Sequence, residues 1–189
     1  MLSEGEQIIA KVTTILDRLG ISYLIGGSVA SGIHGVYRYT NDIDIVADIP
    51  VEKIHLLAAA LGDFYADSDT MIDAIQSRTS FSIIHLELMI KVDIFLKANE
   101  DWTDEVWRRR TLTPISTDGT LRAYLPSPED AILQKIRWFQ LGGGASDRQW
   151  SDVLGMLKMR SGTLDYDYMK EWAAHLNLSQ LLDTAMGMA

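Results

Sequence analysis

The fold is decided by the stretch Gly26-Gly27-Ser28 and, after a gap of nine residues, Arg38-Tyr39-Thr40-Asn41-Asp42-Ile43-Asp44-Ile45-Val46. The apolar residues 23–25 predict a strand that leads into the glycines, and residues 42–46 predict a second strand. A glycine pair between a strand and a helix lets backbone N–H groups approach an anion with no Cβ in the way. Ser28 opens the predicted helix, whose N-terminus adds partial positive charge. This loop therefore has the character of a phosphate-binding turn.

Asp42 and Asp44 lie two residues apart on a predicted strand, so their side chains project from the same face. Adjacent carboxylates repel each other unless a cation lies between them. Mg²⁺ is suited to that position, because it favours a few carboxylates together with phosphate oxygens of a substrate. The alternative is the solvated face of an edge strand, which an isolated Asp-x-Asp favours because three-residue matches are common. The phosphate-type loop, followed by Arg38 and Thr40, favours the metal site.

A third carboxylate is offered by Asp93 in the segment Lys91-Val92-Asp93-Ile94-Phe95. An aspartate in the middle of an apolar strand is costly if it is buried without a partner. On a strand adjacent to residues 42–46, Asp93 would face Asp42 and Asp44 and complete a three-carboxylate site. The alternative is an exposed face that also carries Lys91.

The rest of the chain predicts an α/β front followed by helices. A capping-box pattern at Ser3 and Glu6 begins an amphipathic helix, and Ser127 begins a run that carries only helical patterns. The other predicted elements are a helix over 50–62, strands over 81–84 and 88–96, and a hairpin of 112–115 with 121–125. We therefore predict an α/β catalytic domain over residues 1–125, with a mixed sheet flanked by helices, and a helical subdomain over 126–189.

Composition narrows the possible functions of this chain. Its 189 residues include 17 basic and 26 acidic side chains, a net charge of -9 that argues against broad binding along a nucleic-acid backbone. A triphosphate substrate remains compatible with that charge if divalent cations invert it locally. There are no cysteines, which excludes disulfides and thiolate metal sites. No apolar run is long enough for a membrane helix, and we expect a cytoplasmic protein.

These motifs resemble those of the nucleotidyltransferase superfamily, which includes DNA polymerase beta and the aminoglycoside and lincosamide nucleotidyltransferases. The nearest resemblance is to the toxin-type enzymes of abortive-infection systems. Their first motif, Gly-Gly-Ser followed by Arg-x-Thr-x-Asp-x-Asp, is matched at Gly26, Gly27, Ser28, Arg38, Thr40, Asp42 and Asp44. Asp93 matches the third aspartate of the family by its strand context. Lys135 and Asp152 look like the later Lys and Asp motifs of the toxin-type branch.

The resemblance implies a Mg²⁺-dependent enzyme that transfers a nucleoside monophosphate from an NTP, with ATP the expected donor. It implies that Asp42 and Asp44 bind two Mg²⁺ ions, for which Mn²⁺ is expected to substitute, and that Asp93 binds one of them. The residues that it implies for nucleotide binding are Gly26, Gly27, Ser28, Arg38, Thr40, Lys135 and Asp152. The acceptor hydroxyl belongs to a protein, a small molecule or a tRNA end, and a toxin–antitoxin role is one interpretation.

Several alternatives stay open at the level of sequence. The chain is either an active transferase or a catalytically silent nucleotide- or partner-binding module with the same fold. Lys135 either steadies phosphates or extends from an amphipathic helix into solvent. Arg108-Arg109-Arg110 either contacts an RNA acceptor or forms a solvated helix end.

Overall fold

The computed structural model describes residues 2–37, 40 and 42–189, and Arg38, a predicted nucleotide-binding residue, lies outside them. The helices are α1 (Glu4–Arg18), α2 (Gly27–His34), α3 (Ile54–Ala60), α4 (Ser68–Ser77), α5 (Asp101–Arg109), α6 (Pro128–Leu141), α7 (Asp147–Arg160), α8 (Tyr166–His175) and α9 (Ser179–Met188). The strands are β1 (Ser22–Ile25), β2 (Asp42–Asp48), β3 (Phe64–Tyr65), β4 (Ser80–His85), β5 (Lys91–Leu96), β6 (Thr111–Pro114) and β7 (Arg122–Leu125).

The chain divides into two compact units. Of the described residues, 2–26, 40 and 42–125 belong to the first unit, and 27–37 and 126–189 belong to the second. The second unit therefore contains the helical residues predicted as a C-terminal subdomain together with helix α2, which comes from the front of the chain.

A five-stranded sheet of described residues organises the first unit. Its spatial order is β1-β2-β5-β4-β3, with β2 and β5 parallel and the other neighbours antiparallel. The predicted hairpin is confirmed as the antiparallel pair β6 and β7. The predicted α/β class with a mixed sheet is likewise confirmed.

Alternation of side chains along the strands separates a core face from a more polar face. On β2 the buried residues are Ile43, Ile45 and Ala47, and on β5 they are Val92 and Ile94. Helix α1 begins as predicted, with Ser3 and Glu6 forming both hydrogen bonds of a capping box. Its buried residues Ile8, Val12 and Leu16 follow helical spacing, as do Ile54 and Leu57 on α3. The charged side chains of β2 and β5 all lie on the opposite face of the two strands.

The second unit packs α2 with α6–α9. At the end of α2, a Cβ on Gly35 would lie 2.9 Å from the backbone nitrogen of Met156, so only glycine lets this segment approach α7 so closely. The Nε2 atom of the buried His34 lies 2.9 Å from the carbonyl oxygen of Pro126 and hydrogen-bonds to it. These contacts explain why α2 groups with residues distant from it in sequence. Within the described residues, every helix is too short or too polar to cross a bilayer.

Candidate functional site

The three predicted carboxylates lie on one face of the sheet in the first unit. The parallel register pairs Asp44 with Asp93 directly, and it pairs Asp42 with Lys91. Paired residues of neighbouring strands are only about 5 Å apart, so two carboxylates share one level of the ladder. Asp44 and Asp93 are half-buried and Asp42 is exposed. The predicted adjacency of the two strands is confirmed, and we call Asp42, Asp44 and Asp93 the acidic face.

Asp93 is held at both carboxylate oxygens. Ser82 on β4 is paired with Asp93 in the antiparallel register and donates a 2.5 Å hydrogen bond to the Oδ1 atom of Asp93. Lys91 on β5 places its Nζ atom 2.8 Å from Oδ2. Ser82 and Lys91 are two residues next to Asp93 that the predicted site did not include. The Lys-x-Asp spacing indicates that Lys91 lies beside Asp93, because residues two apart on a strand share a face.

All three carboxylates of the acidic face affect the pKa of Lys91. Its hydrogen bond to Asp93 holds the pKa of the ammonium above its usual range, and partial desolvation opposes that rise. The negative charges of Asp93, Asp42 and Asp44 raise the pKa further. A cation at this position is therefore stabilised by all three carboxylates.

The donor chemistry of the acidic face fits a hard divalent cation. Carboxylate oxygens are the protein ligands that Mg²⁺ and Mn²⁺ prefer, and the Lys91 ammonium is a stand-in cation that all three attract. In the part of the chain that the structure describes, no three histidine or acidic side chains are gathered closely enough to hold an ion. The Asp93 side chain faces the ammonium instead. A metal ion that approached the Oδ2 atom of Asp93 would meet the Lys91 ammonium there.

Gly26 and Thr40 contact the backbone of the strand that carries Asp42 and Asp44. The N–H of Gly26 donates a 2.9 Å hydrogen bond to the carbonyl of Asp44. Thr40 lies just before β2, where its Oγ1 accepts from the N–H of Asp42 at 3.2 Å and donates to the Asp42 carbonyl at 3.1 Å. Both residues thus fix the start and position of β2. Their predicted contact with a nucleotide stays a prediction.

Gly27 and Ser28 open helix α2 in the second unit. Gly27 has φ of +54°, in the left-handed region that glycine adopts without strain from a Cβ. The Ser31 Oγ atom lies 3.0 Å from the Gly27 carbonyl oxygen and 3.3 Å from that of Ser28. The first turn of α2 is therefore an ordered structure that requires glycine at its first position. Nucleotide binding by Gly27 and Ser28 stays a prediction.

Lys135 and Asp152 meet inside the second unit. Lys135 on α6 donates a 2.8 Å hydrogen bond to Oδ2 of Asp152 on α7, and their side chains are only 11% and 8% exposed. Ser31 on α2 also reaches this carboxylate, at 3.3 Å. The alternative that Lys135 extends into solvent is therefore wrong. The structure brings two of the predicted nucleotide-binding residues together, and it shows them paired with each other.

The arginine run has separate structural roles. Arg108 forms an ion pair with Glu105, at 2.9 Å from Nε and 2.5 Å from Nη2. The guanidinium carbon of Arg110 lies 5.2 Å from the ring centroid of Trp107 and 5.1 Å from that of Tyr124. Arg110 therefore bridges α5 and β7 through two cation–π contacts. Arg108 and Arg110 thus have different surroundings, and contact of the run with RNA stays a prediction.

Arg110→Ala should lower the free energy of unfolding by about 1–2 kcal/mol, since each partly desolvated cation–π contact contributes about 0.5–2 kcal/mol. Urea unfolding monitored by tryptophan fluorescence measures this loss. Arg108→Ala is the matched control, because exposed ion pairs within one helix contribute only about 0.3–0.5 kcal/mol. Equal effects of the two substitutions would contradict the bridging role of Arg110.

The fold of this chain is similar to those of several solved structures. No protein-family model matches the chain, and no curated protein matches it. The solution structure of the antibiotic-resistance factor ANT(2'')-Ia is 11% identical and superposes with a TM-score of 0.56 over 100% of both chains. The crystal structure of ANT(2'')-Ia with adenylyl-2''-tobramycin is 14% identical, with a TM-score of 0.57 over 93% of this chain and 98% of that one.

A second enzyme shows the same likeness. The lincomycin-bound lincosamide antibiotic adenylyltransferase LnuA is 14% identical, with a TM-score of 0.52 over 84% of this chain and 98% of its own. At this level of identity the likeness concerns the fold. The architecture that the Gly-Gly-Ser and Asp-x-Asp motifs predicted is confirmed: the chain has the fold of the antibiotic nucleotidyltransferases ANT(2'')-Ia and LnuA.

Proposed function

We propose that this protein is a divalent-cation-dependent nucleotidyltransferase, which transfers a nucleoside monophosphate from an NTP to an acceptor hydroxyl. The observation that carries the proposal is the register of β2 and β5, which sets Asp44 directly beside Asp93 and close to Asp42. Like charges on paired strand positions are destabilising. A functional reason for keeping them on a half-buried face is that they bind cations together with a triphosphate.

In the proposed reaction, the acceptor oxygen bonds to the α-phosphorus, the hydroxyl loses its proton, and the bond to pyrophosphate breaks. Bound Mg²⁺ or Mn²⁺ would supply charge neutralisation for the triphosphate and the leaving pyrophosphate. Asp42, Asp44 and Asp93 would hold those ions, and Ser82 would keep the Asp93 carboxylate oriented through its hydrogen bond. Gly26 and Thr40 keep β2 in place, so the two aspartates stay at a constant spacing.

A small-molecule hydroxyl is the acceptor class that we favour. Two observations support it: the net charge of -9, which disfavours extended contact with RNA, and the structural likeness to enzymes bound to adenylyl-tobramycin and lincomycin. A third observation is that two arginines of the basic run already have protein partners. Arg108 pairs with Glu105, and Arg110 contacts the rings of Trp107 and Tyr124. A protein side chain, a tRNA end and a toxin–antitoxin context remain the other proposals that the resemblance raises.

A catalytically silent binding module is the second candidate. It is favoured by the engagement of both Asp93 oxygens, one by Ser82 and the other by Lys91. Under this interpretation the fold binds a nucleotide or a partner protein without turnover. Retention of three mutually repelling carboxylates favours the active enzyme instead, because a silent site gains nothing from that repulsion.

Nucleotide and metal should stabilise the protein only when both are present. In the first experiment, thermal unfolding is followed with each of the four NTPs, with and without millimolar Mg²⁺ or Mn²⁺. A ligand that binds only the folded state adds about 2.7 kcal/mol at a hundredfold excess over Kd, which raises the melting temperature by several degrees. AMP with Mg²⁺ is the control that lacks the triphosphate. If no NTP changes the melting temperature in the presence of metal, the proposal is wrong.

The acceptor is then identified by transfer of label. Each α-labelled NTP is incubated with the protein alone, with an aminoglycoside, with a lincosamide and with total tRNA, and the labelled products are separated. Label on a small molecule supports the acceptor class that we favour. Label on protein or tRNA would identify that molecule as the acceptor instead. NTP-dependent stabilisation without labelled product in any reaction would favour the silent module.

A further inference from the structure

Lys91 is the cation closest to Asp93 in the described structure, and the proposed function gives it no role. It begins β5, opposite Asp42 in the parallel register and two residues before Asp93 on the same face. Its Nζ atom lies 2.8 Å from Oδ2 of Asp93. Lys91 therefore faces two members of the acidic face at once, one across the ladder and one along its own strand.

The geometry of Asp93 makes this lysine a competitor for a metal ion. Ser82 already donates to Oδ1, so Oδ2 is the oxygen that Lys91 takes. A divalent ion that binds Asp93 through Oδ2 must displace the ammonium from that position. The positive charge of Lys91 also repels a divalent ion a few ångströms away, because the two charges have the same sign.

Removal of the ammonium has the opposite consequence for the metal-free protein. Asp44 and Asp93 repel each other across paired strand positions, and Asp42 lies on the same face. Lys91 offsets part of this repulsion through its contact with Asp93.

We propose that Lys91 is the resident counter-cation of the acidic face, which stabilises the metal-free protein and weakens the binding of divalent cations. The effect on metal binding rests on the proposed function, whereas the effect on the metal-free protein does not. Lys91 is in this sense a positioning residue for Asp93. A divalent ion and the Lys91 ammonium then compete for the Asp93 carboxylate. A divalent ion that enters with the substrate replaces the ammonium there.

The test compares Lys91→Met with Lys11→Met. Lys11 forms a 2.6 Å ion pair with Asp63 in the same unit, and its side chain is 42% exposed, against 43% for Lys91. The two substitutions therefore remove equivalent lysines, and only one of them adjoins the acidic face. Lys91→Arg keeps the charge and serves as the conservative variant.

The first measurement is Mn²⁺ binding without nucleotide, read from the loss of the free Mn²⁺ signal in electron paramagnetic resonance. Lys91→Met is expected to bind Mn²⁺ about tenfold more tightly than the wild type, the scale of one charge–charge interaction near a protein surface. Lys91→Arg and Lys11→Met should bind as the wild type does. Unchanged affinity in Lys91→Met, beside a wild type that binds, overturns the proposal.

The second measurement is urea unfolding in EDTA, where no metal contributes. Lys91→Met should lower the urea midpoint of the wild type, and the loss should be clearly smaller in the Asp42→Asn background, where there is less charge to offset. Additive effects of the two substitutions would refute the counter-cation. If coupling is present but no variant binds Mn²⁺, the counter-cation stands and the metal site of the proposed function fails.

Discussion

Asp44→Asn is expected to lower the rate of nucleotide transfer roughly a thousandfold or more, since a bound metal ion contributes several kcal/mol of transition-state stabilisation and each 1.36 kcal/mol is a factor of ten. The substitution keeps the size of the side chain and removes the charge. Asp44 is also the residue that the register places directly beside Asp93. The rate of label transfer from the α-labelled NTP, once an acceptor is found, measures the loss.

Asp48→Asn is the matched control for this loss. Asp48 is exposed at the other end of the same strand, and its register partner is Ser22 rather than an acidic residue. It should keep the wild-type transfer rate. Asp44→Asn should fold normally and unfold in EDTA at the wild-type melting temperature or above it, because the substitution removes a repulsion. Full activity of Asp44→Asn would contradict the metal site, and an unfolded variant would show that Asp44 is structural.

Lys135→Met is expected to lower the free energy of unfolding of the helical unit by about 3 kcal/mol, because it removes the cation from a buried ion pair. The ion pair that it breaks has an N–O distance of 2.8 Å and side chains that are 11% and 8% exposed. Urea unfolding measures the loss. Lys158→Met, an exposed lysine on α7, is the control and should change the stability by less than about 0.5 kcal/mol.

The double variant Lys135→Met/Asp152→Leu separates the two roles of this pair. Replacement of both charges by apolar groups is commonly neutral or stabilising, so the double variant should regain much of the loss seen in Lys135→Met. If Lys135 only contacted a nucleotide, Lys135→Met would unfold as the wild type does and would lose only the stabilisation by NTP. Wild-type stability of the single variant would therefore contradict the structural role that its burial indicates.

Local patterns predicted the elements that carry the acidic face. The alternation of residues 42–46 and 91–95 predicted two strands with one apolar face, because side-chain direction on a strand depends only on position along it. Capping residues located the helix starts equally well: Ser127 accepts a hydrogen bond from the N–H of Asp130, as its position before Pro128 predicted. These features depend on a few consecutive residues, which is why the sequence suffices for them.

Other elements were missed because their local signals are weak. Helix α4 was not predicted, although Asp67 caps it through hydrogen bonds from the N–H groups of Asp69 and Thr70. Only Met71 and Ala74 are buried on it, so the apolar stripe is too short to stand out. Packing against β4 and α3 provides the contacts that the helix lacks by itself.

What the sequence by itself determined is the set of chemical groups: paired aspartates on one strand, a third on another, a glycine turn, and a net charge that argues against broad nucleic-acid binding. Only the tertiary structure decided their partners. The strand order put Asp44 beside Asp93 and Ser82 on the far side of Asp93, and the helix packing paired Lys135 with Asp152. The physical reason is that side-chain direction is a local property, whereas strand register and helix packing depend on burying the whole apolar core.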